Sequence, residues 1–196
     1  MTRHTLHSCA FAALTLACLS AHAFPIAAPG TEGLGVIATG GEVKATYQGT
    51  SAAYSDDLRL QNTDPFTFVF NNQANSPGDT VSLGTFAPGT ELVFLLFVQN
   101  TENGFFSGPA SRNSKTDGQA HARVQADWEP GTTLVSFEDL YNGPFDYNDL
   151  SFSFTNTAAA VAEPPITALV LAGLGVIGVV ARRRLDPAAH RISLPA

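Results

Sequence analysis

Leu150-Ser151-Phe152-Ser153-Phe154 carries an apolar side chain at every second position, and Phe66-Thr67-Phe68-Val69-Phe70 shows the same aromatic alternation far upstream. Successive side chains of an extended strand point to opposite faces, so this period of two marks half-buried strands and not helices. Two aromatic faces of this kind predict two sheets packed against one another. Glu91-Leu92-Val93-Phe94-Leu95-Leu96-Phe97-Val98 is instead apolar without interruption, as expected of a strand covered on both sides or lying near a sheet crossing.

Outward from these stretches, Leu34 to Thr155 alternates short β-branched and aromatic runs with turn residues, and no segment sustains a 3.6-residue period. Strands are expected at 41–48, 58–62, 66–71, 80–86, 91–99, 120–127, 132–138 and 149–155. Pro77-Gly78, Pro88-Gly89 and Pro130-Gly131 punctuate them; proline presets φ for a turn and glycine supplies the permissive residue. The fold expected is all-β, a β-sandwich of about eight antiparallel strands. The fourteen phenylalanines read as core, ahead of a sugar-stacking platform. Residues 100–118, rich in Gly, Ser and Asn around Phe105-Phe106, read as a long surface loop.

The chain of 196 residues has room for one such domain once its ends are set aside. Arg3, His4 and His7 precede an apolar run from Cys9 to Leu19 and then Ala21-His22-Ala23, a pattern that signal peptidase cuts before Phe24. An alternative places a lipoprotein cysteine at Cys18, although Thr15 stands where such a motif carries Leu. Both cysteines, Cys9 and Cys18, fall in this leader, so the exported domain is expected to have neither a disulfide nor a thiol-based metal site. At the other end, residues 166–181 (ITALVLAGLGVIGVVA) carry no charge and as a helix would reach about 24 Å, a short membrane span. Arg182-Arg183-Arg184 then sit on the cytoplasmic side, which puts everything before them outside the cytoplasm. The expected organisation is a signal peptide over 1–23, an extracytoplasmic β-domain over 24–157, a linker over 158–165, a transmembrane helix over 166–181 and a basic tail over 182–196.

Between Phe24 and Ala162 there are fifteen acidic residues against five basic ones, ten net negative charges. A nucleic-acid partner is disfavoured, because phosphate neutralisation needs a basic face. The acids crowd one stretch, Phe137-Glu138-Asp139-Leu140-Tyr141-Asn142-Gly143-Pro144-Phe145-Asp146-Tyr147-Asn148-Asp149-Leu150, between two expected strands. Hard oxygen donors gathered on a turn suit Ca²⁺, which needs six to eight converging oxygens and cancels their mutual repulsion. No histidine is near in sequence, which disfavours Zn²⁺, and His121 is the only histidine expected in the exported domain. Glu138, Asp139, Asp146, Asn148 and Asp149 are the candidate ligands, completed by a backbone carbonyl and water. The spacing is not that of an EF-hand loop, and a turn in which Asp and Asn cap backbone groups without any ion explains the same composition.

Two stretches carry family resemblances. Glu163-Pro164, the apolar run containing Leu171-Ala172-Gly173-Leu174-Gly175, and Arg182-Arg183-Arg184 together resemble the PEP-CTERM sorting signal of Gram-negative bacteria, over about the last 35 residues. That resemblance implies recognition by an exosortase, a membrane transpeptidase-like enzyme, with delivery to the cell surface or its exopolysaccharide. Ala162 stands where the motif's first Pro belongs, and Leu185 to Ala196 extend past the usual end. Residues 132–154 resemble a bacterial surface domain of unknown function whose signature is Phe-Glu-Asp-Leu followed by Asp-Tyr-Asn-Asp and an alternating strand. Asn142-Gly143-Pro144-Phe145 replaces that family's more acidic turn and removes one potential ligand. The resemblance implies an extracellular β-domain with no established catalysis.

The function expected is a non-catalytic structural or adhesive surface module, processed by signal peptidase and exosortase, held in the membrane by its C-terminal helix and associated with exopolysaccharide. A receptor for a polysaccharide or protein, using residues 100–118, is the alternative. A small glycoside hydrolase using Glu138 or Asp139 with Asp146 or Asp149 ranks below both, since Trp128 is the only tryptophan for a sugar subsite and no G-x-S-x-G, H-E-x-x-H or phosphate-binding glycine motif occurs.

Overall fold

The computed structural model describes residues 23–62, 65–113, 117–160, 174–177 and 180. The alternating runs form strands, and among the described residues these make three antiparallel sheets. In chain order they are β1 (Val36–Ala38), β2 (Gly41–Thr50), β3 (Asp56–Leu60), β4 (Thr67–Asn71), β5 (Thr80–Phe86), β6 (Glu91–Leu92), β7 (Phe94–Val98), β8 (Asn103–Phe106), β9 (Ala122–Glu129), β10 (Thr132–Phe137), β11 (Leu150–Thr155) and β12 (Thr157–Ala159). A five-stranded sheet has the order β5-β2-β11-β10-β9, a four-stranded sheet β4-β3-β7-β8, and a small third sheet β12-β1-β6. All-β antiparallel architecture is as expected, but there are twelve strands in three sheets where about eight in two were anticipated.

Leu150, Phe152 and Phe154 all point inward and are fully buried, as their alternation demands. They meet aromatic side chains from the four-stranded sheet: Phe94 stacks on Phe154 with ring centroids 4.1 Å apart, and Phe70 on Phe152 at 5.9 Å. Tyr47 of β2 closes the group at 5.5 Å from Phe152 and 5.9 Å from Phe70. Burying a large side chain contributes roughly 1.5–3 kcal/mol, so this aromatic seam is a main source of cohesion between the two sheets. The outer face of β11 is covered as well: Ser151 and Ser136 share a 2.7 Å hydrogen bond, and the Ala27 N–H donates to Ser136 Oγ at 2.8 Å. Phe24, the expected first residue after cleavage, lies directly over Gly49, where any Cβ would collide with its ring.

Three expectations are corrected. Phe66 and Phe68 do not join the core; they are 50% and 55% exposed. Leu58 pairs with Phe70 but Arg59 pairs with Phe68, so Val69 is an extra residue opposite the β3 ladder. One inserted residue moves everything before it to the other face of the sheet. Residues 100–118 are not a plain loop: β8 pairs with β7, a short 3-10 turn spans Ala110–Arg112, and Phe105 is fully buried. The apolar stretch 91–98 is two strands, broken at Val93, where the chain crosses from the small sheet to the four-stranded one. The last described strand, β12, pairs with β1 through Ala159.

The described residues include no helix long and apolar enough to cross a membrane. Of the expected span 166–181, residues 174–177 and 180 are described, and they are helical and exposed. The leader with Ala21, the sorting residues Glu163 and Pro164, and Arg182, Arg183 and Arg184 lie outside the described residues.

Candidate metal centre

The β10–β11 pairing sets Phe137 opposite Leu150, so the residues just beyond each strand end, Glu138 and Asp149, emerge side by side at the mouth of a twelve-residue connection. Both ends are tied down. The Glu138 N–H donates to the His121 carbonyl at 2.9 Å, and His121 Nδ1 lies 3.2 Å from the Glu138 carbonyl. The Asp149 carbonyl accepts from the Ser51 and Ala52 N–H groups at 3.2 and 3.3 Å, and from the Thr50 hydroxyl. The Asp139 N–H donates to Asp149 Oδ2 at 2.8 Å.

These ties bring Glu138, Asp139 and Asp149 together with one oxygen of each within 4.8 Å of the others, a group that can hold a metal ion. Glu138 and Asp139 are 1% and 2% exposed, and Glu138 Oε2 and Asp139 Oδ2 have no hydrogen-bond partner. Burial, reinforced by the neighbouring Asp149, pushes both carboxyls up to about 7. Burial raises Asp149 too, although the Asp139 N–H pulls against it. Among the described residues no lysine, arginine or histidine ion pair reaches any of the three. Like charges held out of water without compensation are costly unless they bind protons or a cation.

Asp146 and Asn148 lie outside this group of three. Asp146 is exposed and accepts from Asn148 Nδ2 at 2.8 Å, while Asn148 Oδ1 accepts from the Ser51 hydroxyl at 2.6 Å. Asn148 thus fastens the connection to the end of β2, and Asp146 adds negative charge near Glu138 and Asp149 from outside. Neither belongs to the buried group.

The reading along the chain missed Asp56, the first residue of β3. It is completely buried, both its carboxylate oxygens are without partners, and it lies within hydrogen-bonding reach of the Asp139 carboxyl. Burial, with Asp139 and Asp149 beside it, pushes it up to about 8. A signal did exist: Leu58 and Leu60 face inward, and the period of two puts Asp56 on the same face.

The rest of the connection is built around the Glu138 carboxylate. Gly143 sits against Glu138 Oε1 so closely that any side chain there would collide with it. Asn142, Phe145 and Tyr147 have positive φ of 54, 53 and 58°. This region costs an L-residue roughly 1–2 kcal/mol, and it is tolerated where the surroundings over-determine it. Tyr147 is over-determined: its hydroxyl donates to the Ala120 carbonyl at 2.7 Å, the Arg123 guanidinium lies 4.1 Å above its ring, and its N–H donates to the Glu138 carboxylate. His121, far from the acids in sequence, is close in space. Its ring stacks on Phe105 and meets Tyr141 and Phe145 edge-on, and its Nε2 faces Asp117 at 3.3 Å, so both ring nitrogens are occupied. The donors facing the centre are therefore carboxylate oxygens.

No family model, curated protein or solved structure matches this chain.

Proposed function

We propose that this chain is an exported cell-surface module, non-catalytic and structural or adhesive in role, whose acidic centre binds Ca²⁺. Glu138, Asp139 and Asp149 are the core ligands, with backbone carbonyl and water oxygens completing the shell. The observation that carries the metal reading is that Glu138 and Asp139 are buried with an unpartnered oxygen each, beside half-buried Asp149, with no counter-cation among the described residues. An oxygen-only donor set favours a hard divalent ion, and Ca²⁺ accepts the irregular geometry that Mg²⁺ resists. Burial of Glu138 and Asp139 speaks against the glycoside-hydrolase reading, since a sugar must reach both members of a carboxylate pair.

Export and sorting rest on the sequence: signal peptidase cleaves before Phe24, and exosortase handles Glu163-Pro164, the apolar segment and Arg182, Arg183 and Arg184. The protein passes through a membrane-anchored stage and reaches the cell surface or its exopolysaccharide. Extracellular Ca²⁺ fills the centre there without competition from cytoplasmic control of the ion. Calorimetric titration of the full chain with Ca²⁺, beside thermal melting of an Asp139→Asn, Asp149→Asn double variant, tests the centre. Saturable heat and a raised Tm that vanish in the variant support it; no heat and no shift in the wild-type protein refute it.

A further inference from the structure

Glu138, Asp139 and Asp149 all stand at one end of the five-stranded sheet, on the connection between β10 and β11. Asp56 belongs to the four-stranded sheet, whose β3 runs between β4 and β7. The two sheets are held together elsewhere by the aromatic seam of Phe70, Phe94, Phe152 and Phe154. At this end, what faces across is carboxylate against carboxylate.

Asp56 is held in place with care. Its N–H donates to Asn72 Oδ1 at 2.9 Å, its carbonyl accepts the Asn72 N–H at 3.1 Å, and Asn72 Nδ2 in turn donates to the Tyr54 carbonyl at 2.8 Å. One residue thus locks the backbone on both sides of the aspartate, its side chain before it and its main-chain N–H after it. The ladder to β7, with Asp56 opposite Val98, fixes the strand further. Yet neither oxygen of the carboxylate so firmly aimed meets a hydrogen-bond donor, at zero exposure, and the side chain within reach is another acid, Asp139. A buried charge left without a partner is strongly destabilising, and a pair of them facing each other more so. Nothing in packing explains an acid here, because Leu58 and Leu60 show that this face of β3 otherwise takes apolar side chains.

We propose that Asp56 is a further ligand of the cation centre and that the bound ion clamps the four-stranded sheet to the β10–β11 connection. The proposal rests on the reading of Glu138, Asp139 and Asp149 as a cation site and extends it across the domain. With the ion bound, like-charge repulsion between the sheets becomes shared attraction to one centre. Without it, the same residues push this end of the domain apart. A surface module of this kind is stiff where free Ca²⁺ is plentiful and loosens where it is withdrawn. Asn72 acts as a positioning residue, holding Asp56 toward the ion without touching it.

The test uses the full chain and Ca²⁺ alone, with Tb³⁺ luminescence as a second probe of occupancy. Asp56→Asn keeps the shape and removes the charge. It should raise the Tm in chelator-treated protein, because repulsion is relieved, and weaken Ca²⁺ binding by about ten-fold or more, the scale on which support for a metal site is lost. Opposite signs in the two conditions are what a ligand produces and a purely structural residue does not. If Asp56→Asn binds Ca²⁺ as tightly as wild type while Asp139→Asn abolishes binding, the centre stands and the clamp is wrong. If wild type takes up neither Ca²⁺ nor Tb³⁺, the centre itself falls and the clamp with it. Hydrogen exchange on the wild-type protein decides the matter even if a variant does not fold. Added Ca²⁺ should slow exchange at residues 56–60 as well as at 137–150, and protection confined to 137–150 overturns the clamp.

Discussion

Asp56 and Asp57 are neighbours on one strand, both nearly inaccessible to water, and they live in opposite chemical worlds. Asp57 points to the outer face of the four-stranded sheet, where Arg59 Nη2 lies 2.7 Å from it and Asn71 Nδ2 and Gln99 Nε2 each donate at 2.9 Å. Burial alone would raise its pKa, but those donors and the guanidinium outweigh it and hold the carboxyl below the ordinary range. Asp56, one residue earlier, points inward among other acids and is raised to about 8. A buried charge that a fold intends to keep is surrounded with donors. A buried charge left bare in a place so carefully built points to a partner that arrives from outside the chain.

The largest effect that separates the two regions comes from pH and the ion together. Asp56, Glu138 and Asp139 are raised to about 8, 7 and 7, so between the unfolded carboxylate values near 4 and pH 8 the folded state holds more protons than the unfolded one. Metal-free protein should therefore lose stability as pH rises from 5 to 8. Ca²⁺ at a hundred times its Kd should restore about 2.7 kcal/mol and reverse most of that slope. Protons compete for the same oxygens, so Ca²⁺ affinity should climb over the same interval. Melting curves with chelator and with Ca²⁺ at each pH check both statements. A metal-free Tm that rises from pH 5 to 8 would break the contrast. Asp57 has the opposite sign: its contribution is present above the unfolded carboxylate range and is lost as pH falls below it.

Next in size, Asp57→Ala should cost about 1–3 kcal/mol by leaving Asn71, Gln99 and Arg59 without their acceptor. Chemical denaturation should find the same loss with and without Ca²⁺, since no ion is involved on that face. Gly143→Ala should then weaken Ca²⁺ binding by about ten-fold, because the added methyl displaces the Glu138 carboxylate. Metal-free melting should move far less than the affinity does. Smallest is Asp146→Asn, which removes an exposed charge outside the group; a change within about 0.5 kcal/mol in stability is expected, with slightly weaker Ca²⁺ binding in calorimetry. An Asp146→Asn effect as large as that of Asp139→Asn would return Asp146 to the ligand set.

Much of the fold was legible because alternation is a local property. Thr80–Phe86 is a strand over the residues expected, and Leu150, Phe152 and Phe154 bury the face their spacing assigns. What failed depended on partners distant in sequence. Phe66 and Phe68 share the alternation of Phe70 but face outward, because the ladder with β3 admits Val69 as an extra residue. β8 was hidden in a Gly-, Ser- and Asn-rich stretch, and it exists because β7 offers it a ladder from Leu95 to Val98. Of the five candidate ligands, Glu138, Asp139 and Asp149 converge, because strand pairing sets the two ends of the connection opposite one another. Asp146 and Asn148 share the composition of the motif but sit on its outer rim.

The sequence by itself determined that residues 34–155 are built of strands, that residues 24–162 are acidic, and that their carboxylates are concentrated between Phe137 and Leu150. Those are matters of composition, charge and period, which each segment carries alone. Only the tertiary structure decided which acids lie out of reach of water and of each other's compensation. Burial and electrostatic neighbourhood are set by whatever packs opposite. Asp56 comes to face those acids because two sheets, joined by aromatic side chains far along the chain, close over it.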